Sequence, residues 1–333
     1  MDEVIKLSHG EGGADTQDVI KNIFYRYFNE PHYNDLSDAY VFEAGQKKYS
    51  FTTDSFVVKP IFFRGGNIGK LAVCGTINDL VTAGAIPLYL SAGFIIEEGF
   101  PMEKLHLVAK TMGDVCKQTG VKIVTGDTKV VDKGSADHLF INTTGIGLVS
   151  EYYNPKKVEP GDEIIITGGI AEHGTSILLD RYDLGIEADL ISDCSPLCNI
   201  IHGLGRNLRQ VKLMKDPTRG GLATALNEIA TMMGVDVEVN EQMIPMKSEV
   251  KSICNILGMD PMYLASEGRM IIIVAKGYGE QILQLIKELN HCNETRIIGH
   301  FTSGYHGKVY MKTWIGGKRI IPILEGQILP RIC

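Results

Sequence analysis

The sequence has 333 residues, of which 44% are hydrophobic and 22% are charged, and its formal net charge is −7. This composition is typical of a soluble globular protein. The excess of acidic residues argues against nucleic acid as the main partner, because phosphate backbones are bound by clustered Lys and Arg. No apolar run approaches the roughly 20 residues that span a bilayer, and the first residues lack the basic-then-apolar order of a signal peptide. We therefore expect a cytoplasmic protein with no membrane partner.

Apolar periodicity in the first half of the chain alternates between helix and strand spacing. In chain order it predicts a helix over 18–28, a strand over 49–58, a helix over 68–84, a strand over 87–94, a helix over 102–118, and strands over 121–125 and 138–149. The polar segment YYNPKKVEPG at 152–161 contains two prolines and is the best candidate for a domain boundary.

The second half of the chain repeats this mixture of elements. The pattern predicts a strand over 162–167, helices over 173–181, 196–210 and 218–233, strands over 235–239 and 269–275, a helix over 277–290, and strands over 295–302 and 308–314. We therefore predict an α+β (mixed α/β) fold of two domains, 1–155 and 156–320, each a sheet packed with helices. Residues 321–333 leave no room for another element and predict an extended tail, lying on the surface or in a cleft.

The seven cysteines do not suggest a disulfide framework, because their number is odd and their spacing irregular. Cys194 and Cys198 form the one close pair, and no second pair or histidine follows at zinc-finger spacing. We interpret them as ordinary thiols. Cys333 differs from the rest because it is the last residue of the sequence.

The first motif that could carry chemistry lies near the N-terminus. It is a glycine-rich run that contains His9, Gly10, Glu11, Gly12 and Gly13. Glycines at this density let backbone N–H groups approach an anion closely. No Gly-Lys-Ser/Thr follows, so the motif is not a P-loop. The alternative is a flexible N-terminal arm.

A set of dispersed aspartates forms the second motif. Asp54 lies within the predicted strand 49–58, and Asp79 follows Asn78 within an apolar helix. Asp127 is expected directly after the strand 121–125, where binding loops often lie. Oxygen ligands from several segments suit Mg²⁺ bound together with nucleotide phosphates. Each aspartate taken singly could equally be a helix cap or a surface residue.

The third motif is the segment DPTRGG at 216–221. Asp216 or Thr218 could cap the following helix, and the N–H groups at its start attract an anion. Arg219, next to the glycine pair Gly220 and Gly221, adds a donor set for phosphate. The alternative is a plain helix start.

The fourth motif places Glu267 just ahead of a buried strand. A carboxylate there is costly unless paired, and burial could raise its pKa into the range of a general base. The alternative is an ion pair with Arg269 or another basic group.

The last four residues, PRIC, form the fifth motif. The proline restricts the tail, Arg331 places a positive charge near the thiol of Cys333, and Ile332 can anchor in an apolar slot. The motif is not a prenylation box, which needs three residues after the cysteine. A stray terminal cysteine is the alternative.

Together these motifs resemble the hydrogenase maturation factor family HypE, within the superfamily of aminoimidazole ribonucleotide synthetase and selenophosphate synthetase. The likeness runs from His9 to Cys333 and rests on TTDSFVV, GKLAVCGTINDLVTAGAIP, GDTKVV, DPTRGGLATALNEIA and PRIC, of which the last narrows it to HypE. The sequence departs from the family at three positions: Asn67 for the usual Asp, Lys215 for a common Arg, and Ser266 for a frequent Cys.

The resemblance implies an aminoimidazole-ribonucleotide-synthetase-like fold, a homodimer built on the N-terminal domains, and ATP with Mg²⁺ in a groove between the domains. It implies that a HypF-like carbamoyltransferase loads Cys333 from carbamoyl phosphate. The carbamoyl group would be dehydrated to a thiocyanate at the expense of ATP. A HypC–HypD-like complex would accept the cyano group for the iron of nickel–iron hydrogenase.

The resemblance also implies roles for individual residues. Asp54, Asp79 and Asp127 would hold Mg²⁺, and Cys333, Glu267 and Lys129 would be catalytic, with Glu267 as the base. The nucleotide-binding set would be His9, Gly10, Gly12, Gly13, Asp54, Asn78, Asp127, Asp216, Thr218, Arg219, Gly220 and Gly221. Two other functions remain open: phosphoryl transfer to a small amine, amide or selenide, and a non-enzymatic scaffold that binds ATP as a structural ligand.

Overall fold

Two β-sheets covered by helices form the frame of the protein, whose computed structural model describes residues 4–28, 38–182, 184–289, 292–324 and 331–333. The first sheet has the strand order β1-β2-β7-β5-β6 and the second the order β14-β13-β10-β12-β8-β11-β9. This architecture confirms the predicted α+β fold class. Within the described ranges, no helix is both long and apolar enough to cross a lipid bilayer.

The first sheet is antiparallel except where β5 pairs with β6 in parallel. Its strands are β1 (Tyr40–Ala44), β2 (Lys47–Phe56), β5 (Ala85–Glu97), β6 (Lys122–Val131) and β7 (Leu139–Val149). A short hairpin, β3 (Phe62–Phe63) and β4 (Gly66–Asn67), leads into the helices α3 (Ile68–Thr82) and α4 (Met102–Thr119).

Helix α3 is the core of this half because it is apolar on every side. Of its side chains, Ile68, Leu71 and Ile77 are fully buried. Its first turn is capped by Asn67, whose side-chain oxygen accepts hydrogen bonds from the N–H groups of residues 69 and 70. The helix is joined to the sheet by a 2.5 Å contact between the hydroxyls of Thr76 and Thr143. One face of the first sheet therefore lies against α3, and the other is open.

The second sheet is also mixed, with β10 and β13 as its parallel pair. Its strands are β8 (Glu163–Ile166), β9 (Val211–Lys215), β10 (Val237–Asn240), β11 (Ile271–Val274), β12 (Arg296–Phe301), β13 (Val309–Lys312) and β14 (Lys318–Ile321). Its helices are α5 (Glu172–Arg181), α6 (Asn199–Leu204), α7 (Gly221–Met233), α8 (Ser248–Leu257) and α9 (Gly279–Lys287). The adjacent strands β8 and β11 are buried isoleucine runs, and they form the centre of this half.

Most predicted elements are confirmed, with several differences in extent. The N-terminal helix begins earlier than predicted, as α1 (Ala14–Val19), a π-helical turn (Ile20–Phe24) and α2 (Tyr25–Phe28). The predicted helix over 196–210 is α6 followed by a 3₁₀ segment, Gly205–Gln210. Strand β6 continues to Val131, so the expectation that Asp127 follows the end of this strand is wrong. The elements β1, β9, α8 and β14 were not predicted.

The end of the tail lies between the two halves. The N–H groups of Val57 and Lys59 donate to the carbonyl oxygens of Cys333 and Arg331, at 3.0 and 3.1 Å. This register is antiparallel, so the last three residues extend along the chain that leaves β2. Of the two positions expected for the tail, surface or cleft, its last residues take the cleft.

Candidate functional site

The cleft between the two halves gathers carboxylates from both sheets. Asp54 lies on β2, Asp79 on α3, Asp216 directly after β9, and Glu267 in the segment before β11. The charges of Asp54 and Asp216 raise the pKa of Asp79 and of Glu267, and the charge of Asp54 also raises the pKa of Asp216. The sequence motifs that contain them therefore meet in one place.

The pKa of Asp79 is raised well above its usual range, first by burial and then by the charges of Asp216 and Asp54. The hydroxyl of Thr52 lies 2.9 Å from its carboxylate and opposes part of this rise. Burial likewise raises the pKa of Asp216 to about 8, with repulsion from Asp38 as the next cause. If all of these carboxyl groups were ionised, they would carry more negative charge than their surroundings balance.

A divalent cation would fit this donor set. Asp54 and Asp79 present hard oxygen atoms of the kind that Mg²⁺ prefers, and the repulsion that raises the pKa of both is what a bound cation would remove. Among the described residues of one chain, however, no group of three His, Cys, Asp or Glu side chains is arranged to hold a metal ion.

The chain does not bring Asp127 and Lys129 to this cluster. Thr143 faces α3 and pairs with Asp54 on one side and Ala92 on the other, and Ala92 pairs with Gly126. Asp127 therefore points to the open face. It lies three strand spacings from β2, roughly 14 Å. Its carboxylate is 68% exposed, as is the side chain of Lys129, whose ammonium group lies 2.7 Å away.

The Asn78 side chain connects the two halves and leaves no free amide donor for a ligand. Its Nδ2 donates to the carbonyl oxygens of Ser195 and Glu267 at 3.1 and 3.2 Å, and its Oδ1 accepts from the N–H of Leu197 at 2.9 Å. In the structure Asn78 therefore holds the backbone of Glu267 and does not face the carboxylate cluster as a free ligand.

Glu267 is buried, and its Oε1 has no hydrogen-bond partner among the described residues. Burial raises its pKa well above the usual range, and the neighbouring Cys194 and Asp216 raise it further. The alternative interpretation, an ion pair with Arg269, is wrong. Arg269 instead contacts Glu172 at 3.2 Å and Asp193 at 3.5 Å. Glu267 is therefore an uncompensated carboxyl group that faces the cleft.

The segment before α7 places Arg219 in the cleft. Gly220 and Gly221 have φ angles of 74° and 61°, and a Cβ on Gly221 would lie 2.6 Å from backbone oxygens. The expectation that Asp216 or Thr218 caps α7 is wrong, because the N-cap is Gly220 and no side chain caps the helix. The two left-handed glycines turn Arg219 towards the cleft, where the charges of Cys333, Asp54 and Glu267 raise its pKa.

The N-terminal glycine run lies beside Arg219 and against the start of the tail. The Gly10 carbonyl accepts from Arg219 at 3.3 Å, while the N–H of Gly12 donates to the hydroxyl of Thr16 at 2.9 Å. The N–H of Ala14 points at the carbonyl of Leu324, 3.4 Å away. His9 Nδ1 accepts from the N–H of Lys6 at 2.8 Å. In this arrangement the run contacts protein atoms, and its role in phosphate binding stays a prediction.

Cys333 borders a cavity of about 160 Å³ that Arg219, the glycine run and the start of the tail also line. Its thiol is accessible from this cavity, yet burial raises its pKa well above the usual range. The charge of Glu267 raises this pKa further, while Arg219 lowers it. The thiol therefore shares this cavity with the guanidinium group of Arg219, and the buried carboxyl group of Glu267 is near enough to act on the thiol by its charge.

Three side chains that hold the tail were not predicted. His173, fully buried at the start of α5, contacts the carbonyl of Ile332 through Nε2 at 2.8 Å. Arg181 donates to the carbonyl of Arg331 at 2.7 Å. Asp137 accepts from Arg331, and this bond is the main cause that lowers the pKa of Asp137 to about 2.

Both halves of the chain match family models. The N-terminal domain model of AIR synthase related proteins matches residues 36–149, and the C-terminal domain model matches residues 159–312. The sequence is similar to the carbamoyl dehydratase HypE of Rhizobium leguminosarum bv. viciae, with 43% identity over 99% of this chain and 95% of that protein.

Solved structures of similar proteins share the fold over almost the whole chain. A HypE crystallised in complex with ATP is 41% identical, with a TM-score of 0.83 over 99% of this chain and all of the other. A HypE crystallised in a HypE–HypF complex is 42% identical, with a TM-score of 0.87 over 92% of this chain and 99% of the other.

Proposed function

The chain belongs to the HypE family of carbamoyl dehydratases, and on that premise we propose that it acts in hydrogenase maturation by dehydrating a carbamoyl group on its own Cys333. ATP is the second substrate, and the product is a thiocyanate on the same sulfur. One observation carries the proposal. The thiol of Cys333 lies in the cleft with the unpartnered carboxyl group of Glu267 and with Arg219.

The reaction needs a better leaving group than the carbamoyl oxygen. Transfer of the terminal phosphate of ATP to that oxygen, with loss of one N–H proton, gives an S-bound imidate phosphate. Cleavage of the C–O bond with loss of the second N–H proton releases phosphate and leaves the S–C≡N group. The balance is one ATP consumed and the elements of water removed as phosphate. The protein must therefore position the sulfur, bind phosphates and accept protons.

The residues of the cleft divide these tasks. Arg219 and the glycine run at 9–13 would bind the phosphates, and Asp54 and Asp79 would hold Mg²⁺, which neutralises phosphate charge when bound. Glu267 would accept the N–H protons. Burial without a partner raises its pKa and makes its carboxylate a stronger base. Asn78 would act through the backbone of Glu267, which it holds.

A second copy of the chain would complete the site. The open face of the first sheet carries one cross-strand row of apolar side chains, Tyr40, Phe51, Ile146 and Tyr89, three of them 45–48% exposed. Such a row is typical of a surface that another chain covers. Asp127 and Lys129 lie on this same face. If Asp127 belongs to the magnesium site, it has to come from the second copy.

Two partners follow from the chemistry. A HypF-like carbamoyltransferase would load Cys333, in keeping with the similar HypE that was crystallised with HypF. A HypC–HypD-like complex would accept the cyano group and pass it to the hydrogenase iron. Both exchanges require that the tail leave the cleft. Its last three residues are held there by hydrogen bonds, by the ion pair of Arg331 with Asp137 and by the buried side chain of Ile332.

The test is the mass of the C-terminal peptide. Protein carbamoylated on Cys333 should lose one water from that peptide when Mg-ATP is added, and Cys333→Ala should show neither the carbamoyl adduct nor the loss. ATP hydrolysis that leaves the peptide mass unchanged would contradict the proposal. Full ATP turnover on a small substrate after deletion of the last four residues would point to phosphoryl transfer, and tight ATP binding without turnover would point to a scaffold.

A further inference from the structure

His173 lies at the junction of the tail and the second half of the protein. Its ring is fully buried and uses both nitrogens. Nδ1 lies 2.7 Å from the hydroxyl of Ser192, and Nε2 lies 2.8 Å from the carbonyl oxygen of Ile332. A carbonyl oxygen can only accept, so Nε2 carries the proton and Nδ1 accepts from Ser192. The ring is therefore a neutral imidazole that donates to the tail.

The orientation of this ring is fixed before the tail arrives. The Ser192 hydroxyl oxygen also accepts from the N–H of Cys194 at 3.0 Å, which holds the hydroxyl in place. The ring of Phe63 stands edge-on to the imidazole at 5.3 Å between centroids. Burial lowers the pKa of His173 to about 4, so the ring stays neutral at physiological pH. Nothing in this arrangement depends on a side chain of the tail.

The backbone of the tail is recognised from two sides. The carbonyls of Arg331 and Cys333 point to the chain at 57–59, and the carbonyl of Ile332 between them points the opposite way, to His173. Successive carbonyls of an extended chain alternate in this manner. A shift of the tail by one residue would therefore leave His173 without its acceptor, so the contact sets the register of the residue next to the thiol.

The hydrogen bonds around His173 also hold the backbone of Glu267. Asp193 Oδ1 accepts from the N–H of His173 at 3.0 Å and from the N–H of Glu267 at 3.3 Å. One carboxylate thus links the backbone of the histidine that holds the tail to the backbone of the base. Both ring nitrogens of His173 are already used, so the imidazole has no free acceptor for a substrate proton.

We infer that His173 is a positioning residue, which holds the backbone of Ile332 so that the sulfur of Cys333 lies at a fixed place beside Glu267. The inference adds a residue to the proposed function. It rests on that function only for the claim that the position of the sulfur beside Glu267 serves the reaction. The ligand that His173 recognises is the peptide backbone of the chain's own tail.

Alkylation of Cys333 by a maleimide tests this inference. While the tail is held, Cys333 is half-buried and borders only the small cavity of the cleft, and release of the tail would expose its thiol fully. His173→Phe should therefore raise the rate at Cys333 roughly tenfold, the effect of leaving one buried carbonyl without its donor. His173→Gln keeps an N–H donor at a similar reach and should restore much of the protection. His202→Phe, on the exposed side of α6, should leave the rate unchanged. Peptide mass spectrometry separates Cys333 from the other six cysteines.

Two further measurements decide the remaining outcomes. Ser192→Ala keeps the imidazole and removes the hydroxyl that fixes its tautomer, so it should raise the alkylation rate by a smaller factor even if His173→Phe does not fold. Alkylation of the unaltered chain as fast as that of a free peptide, or an unchanged rate in folded His173→Phe and Ser192→Ala, would overturn the inference. If the thiol of Cys333 is protected as expected but its carbamoylated form never loses water, the proposed function alone would be contradicted.

Discussion

Two clusters of buried acidic residues differ in how their charge is balanced, although Glu267 of one cluster and Arg269 of the other are close in sequence. Glu172 contacts Lys247 at 2.7 Å and Arg269 at 3.2 Å, and Arg269 also approaches Asp193. In that cluster burial raises the pKa of Asp193, but the charge of Arg269 opposes the rise. In the cleft cluster of Asp54, Asp79, Asp216 and Glu267, repulsion from nearby acidic groups adds to the effect of burial, and the pKa of each carboxyl group is raised although Arg219 is nearby. A single residue, Gly268, lies between Glu267 and Arg269, so their separation in sequence does not explain the difference.

The difference distinguishes a cluster that stabilises the fold from a cluster that serves ligand binding and catalysis. A balanced buried cluster stabilises the fold as long as all its members are present, because removing one leaves the others unpaired. An unbalanced cluster of acidic groups destabilises the empty protein and becomes favourable when a cation binds and supplies the missing positive charge. Substitutions in the two clusters should therefore have opposite signatures.

The largest effect is expected for Glu267→Gln. Loss of the base should slow the loss of water from carbamoylated Cys333 by about 10²–10⁴-fold, the usual contribution of general acid–base catalysis. Carbamoylation itself should proceed normally, and thermal stability should not fall, because an uncompensated buried carboxyl group has been removed. Rapid-quench mass spectrometry and a melting curve measure both. Dehydration at the full rate would remove Glu267 as the base.

The matched change in the balanced cluster is Glu172→Gln. It removes the negative charge that Lys247 and Arg269 share and replaces one of the two acceptor oxygens with an NH₂ donor, so the free energy of unfolding should fall by about 3–5 kcal/mol. Denaturant titration measures this loss. At a temperature where the variant is folded, water loss from Cys333 should stay within a few-fold of the unaltered rate. An active-site defect without destabilisation would mean that the two clusters are not separate.

A third experiment asks whether the cleft cluster is completed by a second copy. Asp54→Asn and Asp127→Asn should each abolish ATP-dependent dehydration. When the two variants are mixed and allowed to exchange subunits, each heterodimer regains one intact site, so activity should return to about a quarter of the original. The two variants kept apart are the control. No recovery despite confirmed subunit exchange would mean that Asp127 does not complete the site of Asp54 in a second copy.

The smallest effect concerns pH. The folded protein holds the proton of Asp216 up to about pH 8, whereas an unfolded chain loses it near the ordinary pKa of an aspartate. Protonation thus favours the folded state, and stability should decrease as pH rises from about 4 to about 8. We expect melting temperatures a few degrees lower at the alkaline end. Asp216→Asn should flatten this dependence, and a variant with an unchanged slope would assign it to other groups.

The sequence predicted elements best where local signals were strong. Helix α4 ends at Thr119, one residue beyond the predicted range, because Gly120 follows it with a left-handed φ of 76° that suits glycine. Strand β6 was placed too short because Gly126 and Asp127 are turn residues elsewhere, whereas here they continue a strand into the β-branched pair Val130 and Val131. The short strand β14 lies at a sheet edge, and its KRII pattern is too brief to predict.

The site was predicted in its residues more than in its contacts. Asp54, Asp79, Arg219, Glu267 and Cys333 were all identified, and the structure gathers them in one cleft. The balance of charge could not be predicted from the sequence. The partners of Arg269 are Glu172, 97 residues away, and Asp193, and only the fold brings them together. His173 was missed for a similar reason: its acceptor is a backbone carbonyl 159 residues away.

The amide of Asn78 has a consequence for how the enzyme cycles. Because it ties helix α3 of one half to the backbone of the base in the other, the halves cannot separate without displacing that base. Opening and closing of domains is therefore a poor way to admit the substrate here. The C-terminal segment that carries Cys333 is then the part that moves, so the turnover rate should depend on how often this segment enters and leaves the cleft.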